Sequence, residues 1–325
     1  MQGKVAVEEH FAIPETLADS AGFVPQADWG ELKARLMDMQ ERRIREMDAN
    51  GIEMMLPSLN APAIQAIPDR AHAIEIARRA NDFLAEQVAL RPDRFRGLAA
   101  LPMQDPEAAT RELVRCVKEL NFCGALVNGF SQVGAGDEAV YYDLPQYRGF
   151  WAEAETLGKP FYLHPRNPLP KDAAIYDGHP WLMGPTWAFA QETAVHALRL
   201  MASGLFDEHP GLRIILGHLG EGIPYNAWRM DNRNAWVSGS KTYPARRPLS
   251  EYFQENFYVT TSGNFRTQTL VAAMSEIGAD RILFAADWPF ENIDHAAIWF
   301  DACTIAEPDR AKIGRTNAMA LFGLG

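Results

Sequence analysis

Four short stretches of this 325-residue chain carry side chains that can hold a cation or move a proton: Val7-Glu8-Glu9-His10, Leu163-His164-Pro165, Leu216-Gly217-His218 and Ala286-Asp287-Trp288. In each, an apolar run of the kind that forms a buried strand ends in a carboxylate or an imidazole. Such groups, placed just past the ends of parallel strands, converge at the mouth of an α/β barrel. Strand side chains alternate between faces. Glu8 and His10 are therefore expected on one side and Glu9 on the other, towards the outer helices or a neighbouring polar group. A carboxylate and an imidazole in Glu-x-His can grip one divalent cation, a weak signal when it stands alone. Its weight comes from His164 and Asp287, which follow later strands and complete a set of two carboxylates and two imidazoles. In His218-Leu219-Gly220-Glu221-Gly222 the carboxylate is spaced to hydrogen-bond the imidazole as a strand turns into a helix. That pairing would fix the tautomer and raise basicity, as a general base or proton relay requires. The plainer alternative is a helix-capping glutamate beside a satisfied histidine.

The elements that must position these groups can be read from the apolar pattern. Eight β-rich runs stand at residues 4–7, 53–57, 95–101, 124–128, 160–164, 213–217, 257–262 and 281–285. Amphipathic stretches at 71–89, 106–120, 187–206 and 267–277 alternate with them. Near-continuous apolar strands alternating with helices predict a parallel sheet covered on its faces, and the number of runs predicts closure into a (β/α)8 TIM barrel. An open doubly wound sheet is the rival, but no G-x-G-x-x-G follows the first run. Breakers at Ala49-Asn50-Gly51, Arg91-Pro92-Asp93 and Glu208-His209-Pro210-Gly211 separate the elements. Residues 1–325 read as a single domain, with a helical segment at 308–324 expected to pack across the barrel exterior. Two long connections, 11–30 after the first strand and 165–185 after the fifth, lie on the face where barrel active sites are built and are expected to wall the pocket.

Composition narrows the function classes. Hydrophobic residues at 47% and charged residues at 22% exclude a disordered chain. No apolar run approaches the roughly 20 residues of a membrane helix. The opening MQGKVAVEEH is charged where a secretory leader would need an apolar core, so a cytoplasmic location is expected. Cys116, Cys123 and Cys303 lack a metal-ligand spacing and read as buried thiols in a reducing compartment. The net charge of −11 argues against nucleic acid. It also means that an anionic substrate must be attracted locally, by a metal or a specific arginine. His72, His196, His209 and His295 are read as structural. His179 stays open because its loop is expected to line the site.

The same residues in this order resemble the amidohydrolase superfamily, in its branch of non-oxidative decarboxylases. The segments Lys4-Val5-Ala6-Val7-Glu8-Glu9-His10-Phe11, Ala125-Leu126-Val127-Asn128-Gly129, Tyr162-Leu163-His164-Pro165-Arg166-Asn167, Ile215-Leu216-Gly217-His218 and Asp287-Trp288-Pro289-Phe290-Glu291-Asn292 carry the resemblance, which runs over essentially the whole chain. It implies metal ligands at Glu8, His10, His164 and Asp287, a proton-handling pair at His218 and Glu221, and catalysis through Asp287, His218 and Glu221. It further implies substrate contacts at Phe23, Asn128, Arg229, His164 and Phe290. The implied reaction is the reversible, non-oxidative conversion of 2,6-dihydroxybenzoate to resorcinol and carbon dioxide, by a carbon–carbon lyase without an organic cofactor. A homotetramer is implied as well, with Arg229 reaching a neighbouring subunit's site. Hydrolytic members of the superfamily commonly begin with His-x-His and use a bridging lysine. Here Glu-x-His stands instead, and the strand ends named above supply no such lysine. One cation per subunit is therefore expected, with Mn²⁺ favoured by the oxygen-rich donor set and Zn²⁺ as the alternative. Decarboxylation of another phenolic acid (2,3-dihydroxybenzoate, salicylate or 5-carboxyvanillate), hydrolysis of a lactone on the same barrel, and a non-catalytic metal-binding role are the competing readings.

Overall fold

The computed structural model describes residues 1–237 and 243–324. Its frame is a ring of parallel strands in chain order: β1 Lys4–Phe11, β2 Ile52–Leu59, β3 Leu98–Ala99, β4 Gly124–Asn128, β5 Phe161–His164, β6 Ile214–Leu216, β7 Phe257–Thr260 and β8 Ile282–Leu283. β1 pairs with β2, and β3 through β8 form a continuous ladder. A parallel bridge between Met55 and Phe95 joins β2 to the segment leading into β3. The bond from Val7 N–H to Phe284 O, 3.0 Å, joins β1 to the far edge. The (β/α)8 barrel is thus closed, as the apolar pattern predicts.

Alternation along the strands divides the core in two. Val5, Val7, Met54, Leu56, Leu126 and Tyr162 belong to the cluster filling the barrel. Their neighbours Ala6, Met55, Val127, Phe161 and Leu163 pack outward under the helices. The C-terminal segment corrects one expectation. Ala318, Phe322 and Leu324 join the interior cluster, so this segment plugs the barrel floor where the strands begin. Apolar interior positions at that end need a cover, and an outer-ring position would have left them wet.

Helix ends follow local chemistry. Asp69 caps helix Arg70–Leu90 by accepting from His72 N–H, and Asp105 caps Pro106–Lys118 by accepting from Ala108 N–H. Asp38 accepts from the N–H groups of Arg42 and Arg43 at the start of Arg42–Ala49. Gly158, at φ 62°, closes Arg148–Leu157 in the left-handed conformation that glycine adopts without strain. The connection after β1 contains the 3-10 turn Leu17–Phe23, and the one after β5 contains several more before helix Ala188–Ala202. A small antiparallel hairpin, Ser131–Val133 with Glu138–Val140, follows β4. All three cysteines are buried and unpaired. No helix among the described residues is long and apolar enough to cross a membrane.

Candidate active site

β1 delivers its two donors by a departure from regular strand geometry. Val7 lies in the barrel interior, so strict alternation would turn Glu8 outward. Instead the β1–β2 register shifts between Val7 and Glu9, and Glu8 adopts φ 84°. This bulge sends Glu8 inward as well, and His10 follows on the same side. Glu8, His218, Glu221 and Asp287 all have positive φ. A left-handed conformation costs a non-glycine residue roughly 1–2 kcal/mol. Concentrated here, it marks positions held by their surroundings for a purpose other than stability.

Glu8, His10 and His164 are buried, and each offers a donor atom lying within 4.8 Å of the others. His164 Nε2 stands 3.3 Å from Glu8 Oε1, and His10 Nε2 stands 3.2 Å from Asp287 Oδ1. Glu8 Oε1 and His10 Nε2 have no hydrogen-bond partner. Ser58 Oγ lies 3.4 Å from His10 Nδ1, which leaves Nε2 turned to the centre. Burial pushes the Glu8 carboxyl up to about 7, against the pull of the nearby imidazoles. Burial likewise holds His164 well below its usual range, a neutral ring with a free lone pair. A buried carboxylate and two buried imidazoles with donor atoms this close together suit a divalent cation, which favours the ionised acid and needs a bare ring nitrogen. No second cluster of this kind occurs among the described residues.

His218 sits at the strand-to-helix turn after β6, its Nδ1 2.8 Å from Glu221 Oε1. With Nδ1–H donating to Glu221, Nε2 faces Asp287 Oδ2 at 3.9 Å and Glu8 Oε1 at 4.0 Å. Burial alone would lower His218, but Glu221, Asp287 and Glu8 outweigh it and raise it well above the usual histidine range. Asp287 is the converse. Burial would raise it, but the adjacent His10 and His218 imidazoles hold it well below the usual carboxylate range.

Asn128 is in register with His164 on the neighbouring strand and so faces the same side. Its Nδ2 donates to Asn60 O at 2.9 Å, and its Oδ1 is buried without a partner. A backbone carbonyl only accepts, so the amide is oriented with its oxygen free. Phe290 is edge-on to His10 at 5.5 Å, and Phe23 is edge-on to Phe290 at 6.2 Å. Together they form an aromatic wall that reaches from the connection after β1 to the donors. Arg229 is not brought into this cluster. It is exposed on helix Ile223–Val237, makes no ion pair among the described residues, and shares with His218 and Glu221 a cleft of about 980 Å³. Both long connections wall cavities, but only the second reaches the large cleft, through Pro185; Phe23, Asn167 and Leu169 line a smaller one. His179 is exposed against Trp181.

Sequence reasoning missed the groups that hold Glu8. Tyr162 and Thr260 both hydrogen-bond Glu8 Oε2, Thr260 at 2.9 Å. Tyr162 was findable, since it precedes His164 by one strand period. Thr260 had no sequence signal, because only barrel closure brings it to β1.

The geometry can be set beside known proteins. The family model described as amidohydrolase matches residues 10–324. The gamma-resorcylate decarboxylase of Rhizobium sp. (strain MTP-10005) is 72% identical over 324 residues, covering 100% of this chain and 99% of the relative. A crystal structure of 2,6-dihydroxybenzoate decarboxylase complexed with 2,6-dihydroxybenzoate superposes with a TM-score of 0.98 at 72% identity, covering 99% of this chain and 100% of the other. A dihydroxybenzoic acid decarboxylase from Polaromonas sp. JS666, with bound manganese and the inhibitor 2-nitroresorcinol, gives 0.98 at 68% identity, covering 100% and 98%. With the strand-end carboxylates and imidazoles gathered at the barrel mouth, and the match running along nearly the entire sequence, this chain belongs to the amidohydrolase family.

Proposed function

We propose that this chain catalyses the reversible, non-oxidative decarboxylation of 2,6-dihydroxybenzoate to resorcinol. The observation that carries the reading is full-length identity of 72% to a decarboxylase solved with that acid, in a chain whose own buried donors converge at the corresponding barrel mouth. Glu8, His10, His164 and Asp287 would hold one divalent cation. Mn²⁺ is favoured, because the donor set is rich in oxygen and the Polaromonas relative binds manganese; Zn²⁺ is the alternative. When bound, the cation supplies Lewis-acid polarisation of the substrate's oxygens.

The chain's own groups account for the rest. Phe23 and Phe290 grip the ring edge-on, His164 contacts the substrate beside them, and the free Oδ1 of Asn128 accepts from a phenolic O–H. His218, its Nδ1–H committed to Glu221, first passes its Nε2 proton to Asp287 and then takes up and returns the phenolic proton through the freed Nε2. Asp287 delivers a proton to the ring carbon that bears the carboxylate. The new C–H bond takes the electron pair of the breaking carbon–carbon bond, and carbon dioxide leaves. His218, 3.9 Å from Asp287 Oδ2, is the cation able to recharge it from the cleft. Arg229, exposed beside Tyr225 and Trp228 on an open helix face, is suited to reach a neighbouring subunit's anionic substrate in a homotetramer.

The test is metal analysis of the purified protein, with carbon dioxide release assayed on 2,6-dihydroxybenzoate, its isomers and salicylate. Release fastest from 2,6-dihydroxybenzoate, lost on chelation and restored by Mn²⁺, is expected. Turnover of an ester or lactone without gas would sink the proposal.

A further inference from the structure

Glu9 is fully buried between β1 and β8, a place where a carboxylate needs a reason. Its Oε1 accepts from Ala286 N–H at 2.8 Å and its Oε2 from Trp288 N–H at 3.0 Å. These are the two backbone amides that flank Asp287, whose φ is 62°. The grip is backed from behind. The Arg43 guanidinium lies 4.0 Å over the Trp288 ring, and its Nη2 donates to His10 O at 2.6 Å. Trp288 Nε1 donates to Glu46 at 2.5 Å, and His10 N–H donates to Trp288 O at 2.6 Å. Every bond of Glu9 and of this backing has one end on His10 or on a residue flanking Asp287. Neither oxygen of Glu9 reaches the reacting centre.

We infer that Glu9 is a positioning residue for Asp287: by clamping both flanking amides it holds the aspartate in its left-handed conformation, aimed at the barrel centre and in register with His10. A carboxylate serving both as ligand and as acid must swing between two partners without its backbone following, and a two-point clamp on that backbone leaves only the side chain free. This rests on the role proposed for Asp287, so the test separates the two.

The test is a double-mutant cycle with Glu9→Gln, Asp287→Asn and the double variant, in the full-length Mn²⁺-loaded protein. Three quantities are read: the Mn²⁺ dissociation constant by spin resonance of the free ion, and kcat and KM for 2,6-dihydroxybenzoate. Replacing a group that orients a ligand typically costs about 10- to 100-fold in metal affinity or activity. Glu9→Gln is expected to lower kcat within that range and to weaken Mn²⁺ about tenfold, with KM little changed. The double variant should be no worse than Asp287→Asn alone, because Glu9 acts through Asp287. Additive losses, or a wild-type kcat in Glu9→Gln, overturn the clamp while leaving Asp287 in place. A wild-type kcat in Asp287→Asn overturns the aspartate's role, and the clamp with it. If Glu9→Gln does not fold, Glu9→Asp enters the same cycle with the same outcomes; it keeps the charge near Arg43 but withdraws both oxygens by one methylene.

Discussion

At the residue scale the site works by opposing environments for groups that nearly touch. Burial leaves Glu8 short of charge, while His218 is surrounded by carboxylates and Asp287 by imidazoles. The proton-bearing and proton-accepting groups are thereby assigned by their neighbours, not by residue type. Glu221 is the clearest handle on this arrangement, because it touches His218 and lies 3% exposed at the edge of the cleft. Glu221→Gln keeps an oxygen for the Nδ1–H but removes the charge that makes the imidazole basic. A loss of about 10²-fold in kcat is expected, the lower end of what general acid–base catalysis contributes, with Mn²⁺ stoichiometry unchanged. Single-turnover measurements on the metal-loaded variant check it. Loss of bound Mn²⁺ in place of slowed turnover would show that Glu221 supports the metal site and not the proton step.

At the element scale, what could be read from the sequence and what could not divide along chemical lines. Strand and helix order, and the donors at the ends of β1, β5 and β8, were legible because near-continuous apolar runs and their polar ends are local signals. The bulge at Glu8 was not, since nothing in Val7-Glu8-Glu9 distinguishes a broken alternation from a regular one. Glu9 was assigned only a direction, because its partners lie 277 and 279 residues away in sequence. Gly217 belongs with these. A Cβ there would stand 3.1 Å from Glu8 Oε1 and 3.2 Å from the Tyr162 hydroxyl, so the carboxylate packs tightly against the bare backbone just past β6. His196, read as structural, is buried on helix Ala188–Ala202, where its Nε2 accepts from Tyr142 N–H at 3.2 Å. Burial, with Arg199 assisting, pushes it down to about 3. A depressed folded value means that the neutral ring stabilises the fold above the unfolded value near 6.5, and that this stability drains as pH falls from there towards 3. The full effect is on the order of 3–5 kcal/mol, with roughly 2 kcal/mol gone by about pH 5. His196→Gln keeps an acceptor for Tyr142 without a titrating ring. Its urea midpoint should therefore fall less steeply than the wild type's between about pH 6.5 and 4.5. Parallel curves for the two proteins would remove His196 from the acid limb.

At the scale of the whole molecule, the acidic chain must still draw an anion to a site ringed by carboxylates, and its own described surface offers Arg229 on a face unlike the rest. Tyr225, Trp228 and Trp236 on the same helix are 91%, 74% and 77% exposed, and Trp187 and Val195 across the cleft are 53% and 51% exposed. Large apolar side chains gathered this way mark a surface that a partner covers. Under the proposed homotetramer that partner is a second copy, which brings Arg229 to the neighbouring site and makes each site the product of two chains. Trp228→Glu would place a charge in the middle of the covered face. Sedimentation velocity should show smaller species, with kcat/KM falling alongside. Complementation is the sharper measurement. An Arg229→Ala chain and an Asp287→Asn chain, each strongly impaired alone, are unfolded together, refolded and assayed. In a two-fold interface half of the random pairs are mixed, and each mixed pair holds one complete site, so activity should return to about one quarter of the wild-type level. Mixed oligomers present by mass but devoid of activity would mean that Arg229 serves its own subunit, and that the exposed aromatic face has a purely architectural use.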